Sequence, residues 1–280
     1  MFLVWVILRS RFFIWEDASF ISYANFFVLI YIDSAMLISF LIIFLIQLVC
    51  FLIAYFFQTD KLTDISYGGT FIIMVIYLFL QSQQDVIHRV LLCIVFVWGI
   101  RLGAYLLVRI HHMSQDTRFD NMRPSFIKFW SFWFLQAVSI MILMLPIIFL
   151  MSKEGIGFHR LILLWGIISF VGIVLESLAD RQKYQFKKLH PNRWCDIWVW
   201  SKARHPNYFG EMLVWRGVFI ACIPWLISRE LLSIVSPLWI TLLLLKISWI
   251  PLLVAKREER YGSDPEFQQW KSETNLLIPL

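Results

Sequence analysis

Nine consecutive residues, Ala203-Arg204-His205-Pro206-Asn207-Tyr208-Phe209-Gly210-Glu211, gather two potential cations, an amide, a phenol and a carboxylate at the start of an apolar stretch. Ionisable groups at a membrane entrance are costly, and they are usually kept there for a task. Pro206 biases His205 away from helical backbone and suits a first helical turn. A helix is therefore expected to begin near Asn207, with Asn207 as its N-cap and Glu211 about one turn inside. The free N–H groups of such a helix start, together with Arg204 and His205, would receive a phosphate or another anion. The competing reading is a basic flank that only anchors a helix to lipid head groups.

Three further sets could do chemistry. Glu176, Asp180 and Lys183 share one helix face, and Lys187 extends the stripe by a turn. The carboxylates could accept hydrogen bonds from ribose or amide groups and the lysines could neutralise phosphates; the alternative is a solvated helix end with an intrahelical Asp–Lys pair. Arg101, Tyr105 and Arg109 recur every four residues. Arg101 lies inside an apolar run, where a lone charge costs about 2.5–3.5 kcal/mol, so a partner is expected, and Glu176 or Glu211 would serve. Asp64, just ahead of Tyr67-Gly68-Gly69, reads either as a proton donor or substrate anchor or as a helix N-cap. His88, His111, His112, His159 and His190 have no ligand spacing, and Cys50, Cys93, Cys195 and Cys222 are scattered. No metal is expected.

The elements that must position these groups are transmembrane helices. Of 280 residues, 60% are hydrophobic and 18% aromatic, and the mean hydropathy is +0.71. That composition defines an all-α, polytopic integral membrane protein. Apolar runs place about seven spans, near Ala35–Phe57, Ile65–Leu80, Val86–Ile110, Phe126–Met151, Leu161–Ala179, Tyr208–Ile227 and Leu231–Ala255. Residues 1–34 are an apolar extension interrupted by Arg9, Arg11, Glu16 and Asp17, either an interfacial helix or a partial span; residues 35–280 read as one membrane-embedded domain. Basic residues gather in three segments: Arg118 and Arg123; Arg181 to Arg204; and Lys256 to Lys271. With alternating spans these fall on one side, which the positive-inside rule makes cytoplasmic. The net charge of +6 thus orients the chain and does not point to nucleic acid. There is no Gly-x-Gly-x-x-Gly turn or phosphate-binding loop, so a nucleotide would have to be held by helix ends and loops.

The string Arg204 to Glu211, with Leu178-Ala179-Asp180-Arg181-Gln182-Lys183 and Arg101-Leu102-Gly103-Ala104-Tyr105-Leu106, closely resembles the steroid 5-alpha-reductase family, nearest to its polytopic branch. Gln115-Asp116-Thr117-Arg118-Phe119, Phe132-Trp133-Phe134-Leu135-Gln136, Ser236-Pro237-Leu238 and Leu277-Ile278-Pro279 extend the resemblance over about Leu62 to Leu280. It implies an NADPH-dependent membrane reductase that saturates an activated carbon–carbon double bond of a lipid or sterol-like substrate taken from the bilayer. Carried onto this chain, Asp180, Asn207, Tyr208, Glu211, Arg204 and His205 would hold NADPH. Lys183, Lys187, Arg118 and Arg260 are added on position and charge. Asp64 and Tyr67 are the nominees for stabilising a developing enolate.

Departures from the branch bear on cofactor fit and substrate size. Trp198-Val199-Trp200 replaces Gly-Leu-Trp, and Trp249-Ile250-Pro251 replaces Gly-Ile-Pro. Val254-Ala255 occupies a region where a carboxylate is usual, and Tyr67 stands where Trp is typical. The Arg-His-Pro-x-Tyr string with tail acids, here Glu258 and Glu259, is also similar to the isoprenylcysteine carboxyl and phospholipid methyltransferases. That resemblance implies S-adenosylmethionine instead. A non-catalytic, lipid-binding member of the fold is the third alternative.

Overall fold

Inside a bilayer no water is available to satisfy backbone N–H and C=O groups, so long apolar runs close their hydrogen bonds internally as helices. The computed structural model describes the backbone of residues 18–112, 119–247 and 250–279. Residues 1–17, the segment holding Gln115, Asp116, Thr117 and Arg118, and Trp249 lie outside the described residues, as do the side chains of Arg109 and Pro251. The described chain is all-helical: α1 (Ala18–Phe56), α2 (Lys61–Gln81), α3 (Val86–His112), α4 (Phe126–Met151), α5 (Leu161–Leu189), α6 (Pro206–Cys222), α7 (Val235–Leu242), α8 (Ile250–Tyr261) and α9 (Pro265–Glu273).

Six stretches among the described residues are long and apolar enough to cross a membrane, by length and composition. The expected span that falls short is Tyr208–Ile227. It is helical as α6 for 17 residues and continues as a 3-10 turn, Ile223–Trp225. At about 1.5 and 2.0 Å per residue the two together reach the thickness of a hydrocarbon core, about 30 Å. The expected Leu231–Ala255 span is not one helix. A 3-10 segment (Ser228–Ile234) leads into α7, which passes into π-helix over Leu243–Ile247. Pro237 is the third residue of α7, within the first turn, where proline is tolerated. At the other end, α1 runs unbroken from residue 18 into the first span.

Burial divides the helices by role. In α4, 67% of the most apolar window is buried inside the protein, against 22% in α1, so α4 is the central post and α1 faces lipid with Leu37, Leu41, Leu45 and Leu52. The core is joined by Phe71 of α2, Trp98 of α3 and Trp215 of α6, whose ring centroids lie 5.1–5.2 Å apart. Helices α5 and α6 form the most extensive pair, because small residues face each other along the seam. Gly172 opposes Gly210, and Ser169 opposes Gly217.

The tail closes over the loop that precedes α6. Trp194, Tyr261, Phe267 and Trp270 form a buried aromatic cluster. Trp270 donates from Nε1 to the Trp200 carbonyl (3.0 Å), and Arg204 N–H donates to the Asn275 carbonyl (2.8 Å). Asp264 caps α9, accepting from Glu266 N–H at 2.9 Å, with Pro265 in the first turn. Trp198, which stands where the resembling branch has glycine, adopts φ +52°. This is the left-handed region that glycine enters without steric cost, so the departure places a bulky residue on backbone suited to none.

Candidate active site

The buried charge expected to pair does so with two partners. Arg101 of α3 forms ion pairs with Glu176 and Asp180 of α5, the second at 2.7 Å. Arg101 meets Glu176 through Nη1 and Asp180 through Nη2, so one guanidinium fork serves both carboxylates. Trp98, nearly one turn before Arg101, donates to Glu176 Oε2 at 3.2 Å, and Asn207 of α6 donates from Nδ2 to Asp180 Oδ1 at 3.2 Å. The four-residue spacing of Glu176 and Asp180 sets both carboxylates on the α5 face that meets α3 and α6. Three helices are thereby tied at one level.

Helix α6 begins one residue earlier than expected, at Pro206, and its N-cap is His205. Asn207 is therefore inside the first turn and does not cap the helix; its amide is spent on Asp180 instead. Asp64 is likewise not a cap, since Asp60 holds that position in α2 and Asp64 lies in the first turn.

Around this helix start three buried polar atoms have no hydrogen-bond partner among the described residues: Arg204 Nε, His205 Nε2 and Asn207 Oδ1. Orphaned polar atoms in a protein interior are costly and call for a ligand or water. The His205 ring stacks on Tyr208, centroids 5.5 Å apart. Arg257 and Lys183 lie over the Trp200 ring at 6.0 and 5.1 Å, and Arg257 donates to the Arg204 carbonyl at 3.3 Å. Burial, reinforced by the Arg257, Lys183 and Arg204 cations, pushes the His205 pKa down to about 2. The imidazole is thus neutral, and its surroundings are electropositive and suited to an anion.

This shift has a measurable consequence. Below the ordinary imidazole pKa near 6.5, the unfolded chain takes up a proton that folded His205 refuses, so stability falls as pH falls. The slope is about 1.4 kcal/mol per pH unit below that point. Between pH 7 and pH 5 the melting temperature of the solubilised protein should drop, and His205→Gln should remove this part of the drop. An unchanged slope in the variant would show that His205 is not held neutral.

Not every nominee reaches this place. Lys187 gives its hydrogens to the Arg193 carbonyl (2.5 Å), Tyr261 Oη (3.2 Å) and the Pro191 carbonyl (3.4 Å), and so secures the loop and tail. Arg260 donates to Asn192 Oδ1 at 2.7 Å and lies over the Tyr261 ring. Arg118 lies outside the described residues. Glu258 is held by Lys271 Nζ (2.6 Å) and Gln268 (2.7 Å), and the hydrogen bond from Lys271 lowers its pKa.

Farther along α6, Glu211 lines a cavity of about 100 Å³ with Asp64 and Tyr67 of α2, Gln136 and Ser139 of α4, and the apolar side chains of Phe132, Leu135, Leu243 and Leu244. The two leucines come from the π-helical stretch, a form that recurs at functional sites. The nominees for proton chemistry and one nominee for cofactor binding therefore meet at one hollow among the helices. Sequence reasoning nominated none of Gln136, Ser139, Trp98, Trp200 and Arg257 for the site, although Gln136 and Trp200 stood inside strings it compared with the family. Gln136 carried a further signal, an amide inside an apolar run.

Fold and site define a polytopic helical membrane protein with a buried ion-pair cluster, an electropositive helix start and an intramembrane cavity. The chain belongs to the family described as Protein of unknown function (DUF1295), whose profile matches residues 50–274. Neither a curated protein nor a solved structure gives a significant match.

Proposed function

We propose that this protein is a membrane reductase that uses NADPH to saturate an activated carbon–carbon double bond of a lipid or sterol-like substrate. The observation that carries the reading is the shared cavity of Glu211, Asp64 and Tyr67, about one turn along α6 from the electropositive motif. NADPH supplies a hydride when bound. Arg204, His205 and Asn207 offer two donors and an acceptor toward it through their unpartnered buried atoms, with His205 taken as the Nε2–H tautomer, and Lys183 and Arg257 add positive charge for phosphates. Asp180 holds the Asn207 amide in place. In the cavity, Tyr67, with Asp64 lining the same hollow, donates a hydrogen bond to the carbonyl oxygen conjugated with the double bond, where negative charge develops. Phe132, Leu135, Leu243 and Leu244 exclude water and accept the apolar body next to the reacting carbons. Family membership and the resemblance of the motif support a membrane enzyme, and the basic loops support a cytoplasmic cofactor side. Of the two tail acids that the S-adenosylmethionine alternative would use, Glu258 and Glu259, the first is engaged by Lys271 and Gln268.

The test is thermal stability of the solubilised protein with NADPH and, separately, S-adenosylmethionine, for the parent and for Asn207→Ala and Glu211→Ala. NADPH at 100 times its Kd should stabilise the parent by about 2.7 kcal/mol, and both variants should lose most of the shift. A shift with S-adenosylmethionine alone transfers the assignment to methyl transfer. No shift with either ligand supports a non-catalytic lipid-binding member.

A further inference from the structure

The cavity has a donor–acceptor asymmetry that names its ligand more closely. Gln136 projects from the middle of α4 and is buried. Its Nε2 donates toward Gln47 Oε1 (2.8 Å), Ser66 Oγ (3.0 Å) and the Thr63 carbonyl (3.1 Å). A backbone carbonyl can only accept, so the Thr63 contact fixes which way the amide faces. Gln47 is oriented by the same logic, since its Nε2 reaches Thr70 Oγ1 (2.8 Å) and the Ser66 carbonyl (3.4 Å). The nitrogen of Gln136 is thus committed to the protein. Its Oε1 takes no hydrogen bond from a described residue and is not sealed inside the packing.

Ser139, one turn along α4, repeats the pattern. Its hydroxyl hydrogen is given to the Leu135 carbonyl (2.7 Å), and its oxygen accepts from Trp239 Nε1 (3.0 Å). One lone pair remains. The α4 wall therefore offers acceptors and no donor; Tyr67 on the α2 wall carries a phenolic donor, and the carboxyls of Asp64 on α2 and Glu211 on α6 complete the polar lining. A ligand carbonyl turned toward α4 would lie against like lone pairs; a hydroxyl turned there would be satisfied.

We propose that Gln136, seconded by Ser139, makes the cavity selective for lipids that carry a hydroxyl group near the activated double bond, with the hydroxyl donating to Gln136 Oε1 and the carbonyl facing α2. The proposal deepens the reductase reading and rests on it for the chemistry of the double bond. Binding selectivity is independent of that chemistry.

Three probes separate the two: a long-chain α,β-unsaturated ketone, the same ketone with a γ-hydroxyl, and the methyl ether of that alcohol. Each is titrated into the parent protein in phospholipid nanodiscs, following quenching of tryptophan fluorescence, and each is then offered with NADPH while absorbance of the cofactor is recorded. The alcohol should bind about tenfold or more tightly than the ketone and the ether, because only it satisfies the α4 acceptors. Gln136→Met should bring the three affinities together, and the comparison within the parent stands if that variant fails to fold. Equal binding of all three, an ether as tight as the alcohol, or no binding of the alcohol overturns the proposal. Preference for the alcohol without NADPH oxidation upholds it and removes the reductase reading, whereas NADPH oxidation without preference does the reverse.

Discussion

Arg101→Met should destabilise the protein by about 3–5 kcal/mol, the cost of leaving buried charge without its partner. The Arg101 side chain is 13% exposed and the Glu176 and Asp180 side chains 5% each, so water can reach little of what the guanidinium now neutralises. The loss comes less from the pair itself than from two carboxylates stranded between helices. Adding Glu176→Gln and Asp180→Asn to the methionine variant should therefore recover much of it, because neutral amides still accept from Trp98 and Asn207. Arg101→Lys should fall between, since one ammonium cannot serve two carboxylates with the planar fork of arginine. Reversible unfolding of the parent, the single variants and the triple variant in mixed detergent measures this. A methionine variant within about 1 kcal/mol of the parent, or a triple variant no better than the single, would show that the cluster does not tie α3, α5 and α6 together.

That cluster also marks where sequence reading stops. A lone arginine in an apolar run announces that a partner exists, and a shared face on α5 names Glu176 as a candidate. Which carboxylates come within reach depends on how helices cross, and the ladder from Arg101 to Asp180 closes over a sequence separation of 79. The membrane class was legible because hydrophobic composition is a property of the whole chain. The α6 motif was legible because its groups are contiguous. The last expected span is present as an apolar crossing stretch, Ser228–Ile247, but its breakup was not legible for a physical reason: α, 3-10 and π segments differ in hydrogen-bond register and not in apolar content. Lys187 and Arg260 were nominated by charge and position, yet nearby carbonyls and the Asn192 amide claim their donors, a competition that no spacing rule sees. Trp198 runs the other way. The sequence showed a glycine position filled by tryptophan, and only the backbone, at φ +52°, shows why glycine suits that place.

Gly210→Ala is the second change with a large expected effect, and it tests the seam on which the site depends. A Cβ at Gly210 would lie 2.7 Å from the Gly172 carbonyl oxygen and 2.9 Å from both N and Cβ of Glu176. Two of those atoms are backbone in the middle of α5, so no side chain can swing away, and the two helices must separate. Alanine gains up to about 1 kcal/mol of helix propensity over glycine, against an overpacking cost that reaches about 3 kcal/mol or more where the neighbours cannot yield. A net loss of about 2 kcal/mol follows. Gly172→Ala meets the Gly210 carbonyl at 2.6 Å and should behave alike. The double variant should lose less than the sum of the two, because helices already forced apart have room for the second methyl. Gly69→Ala on α2 is the control: nothing lies within 4 Å of its added carbon, so propensity alone should act and stability should hold or rise. Since the displaced residue is Glu176, the seam variants should also weaken the energetic coupling between Arg101 and Glu176 in a double-mutant cycle. Full additivity, or coupling that survives in Gly210→Ala, would mean that the α5–α6 contact does not set the position of the ion-pair cluster.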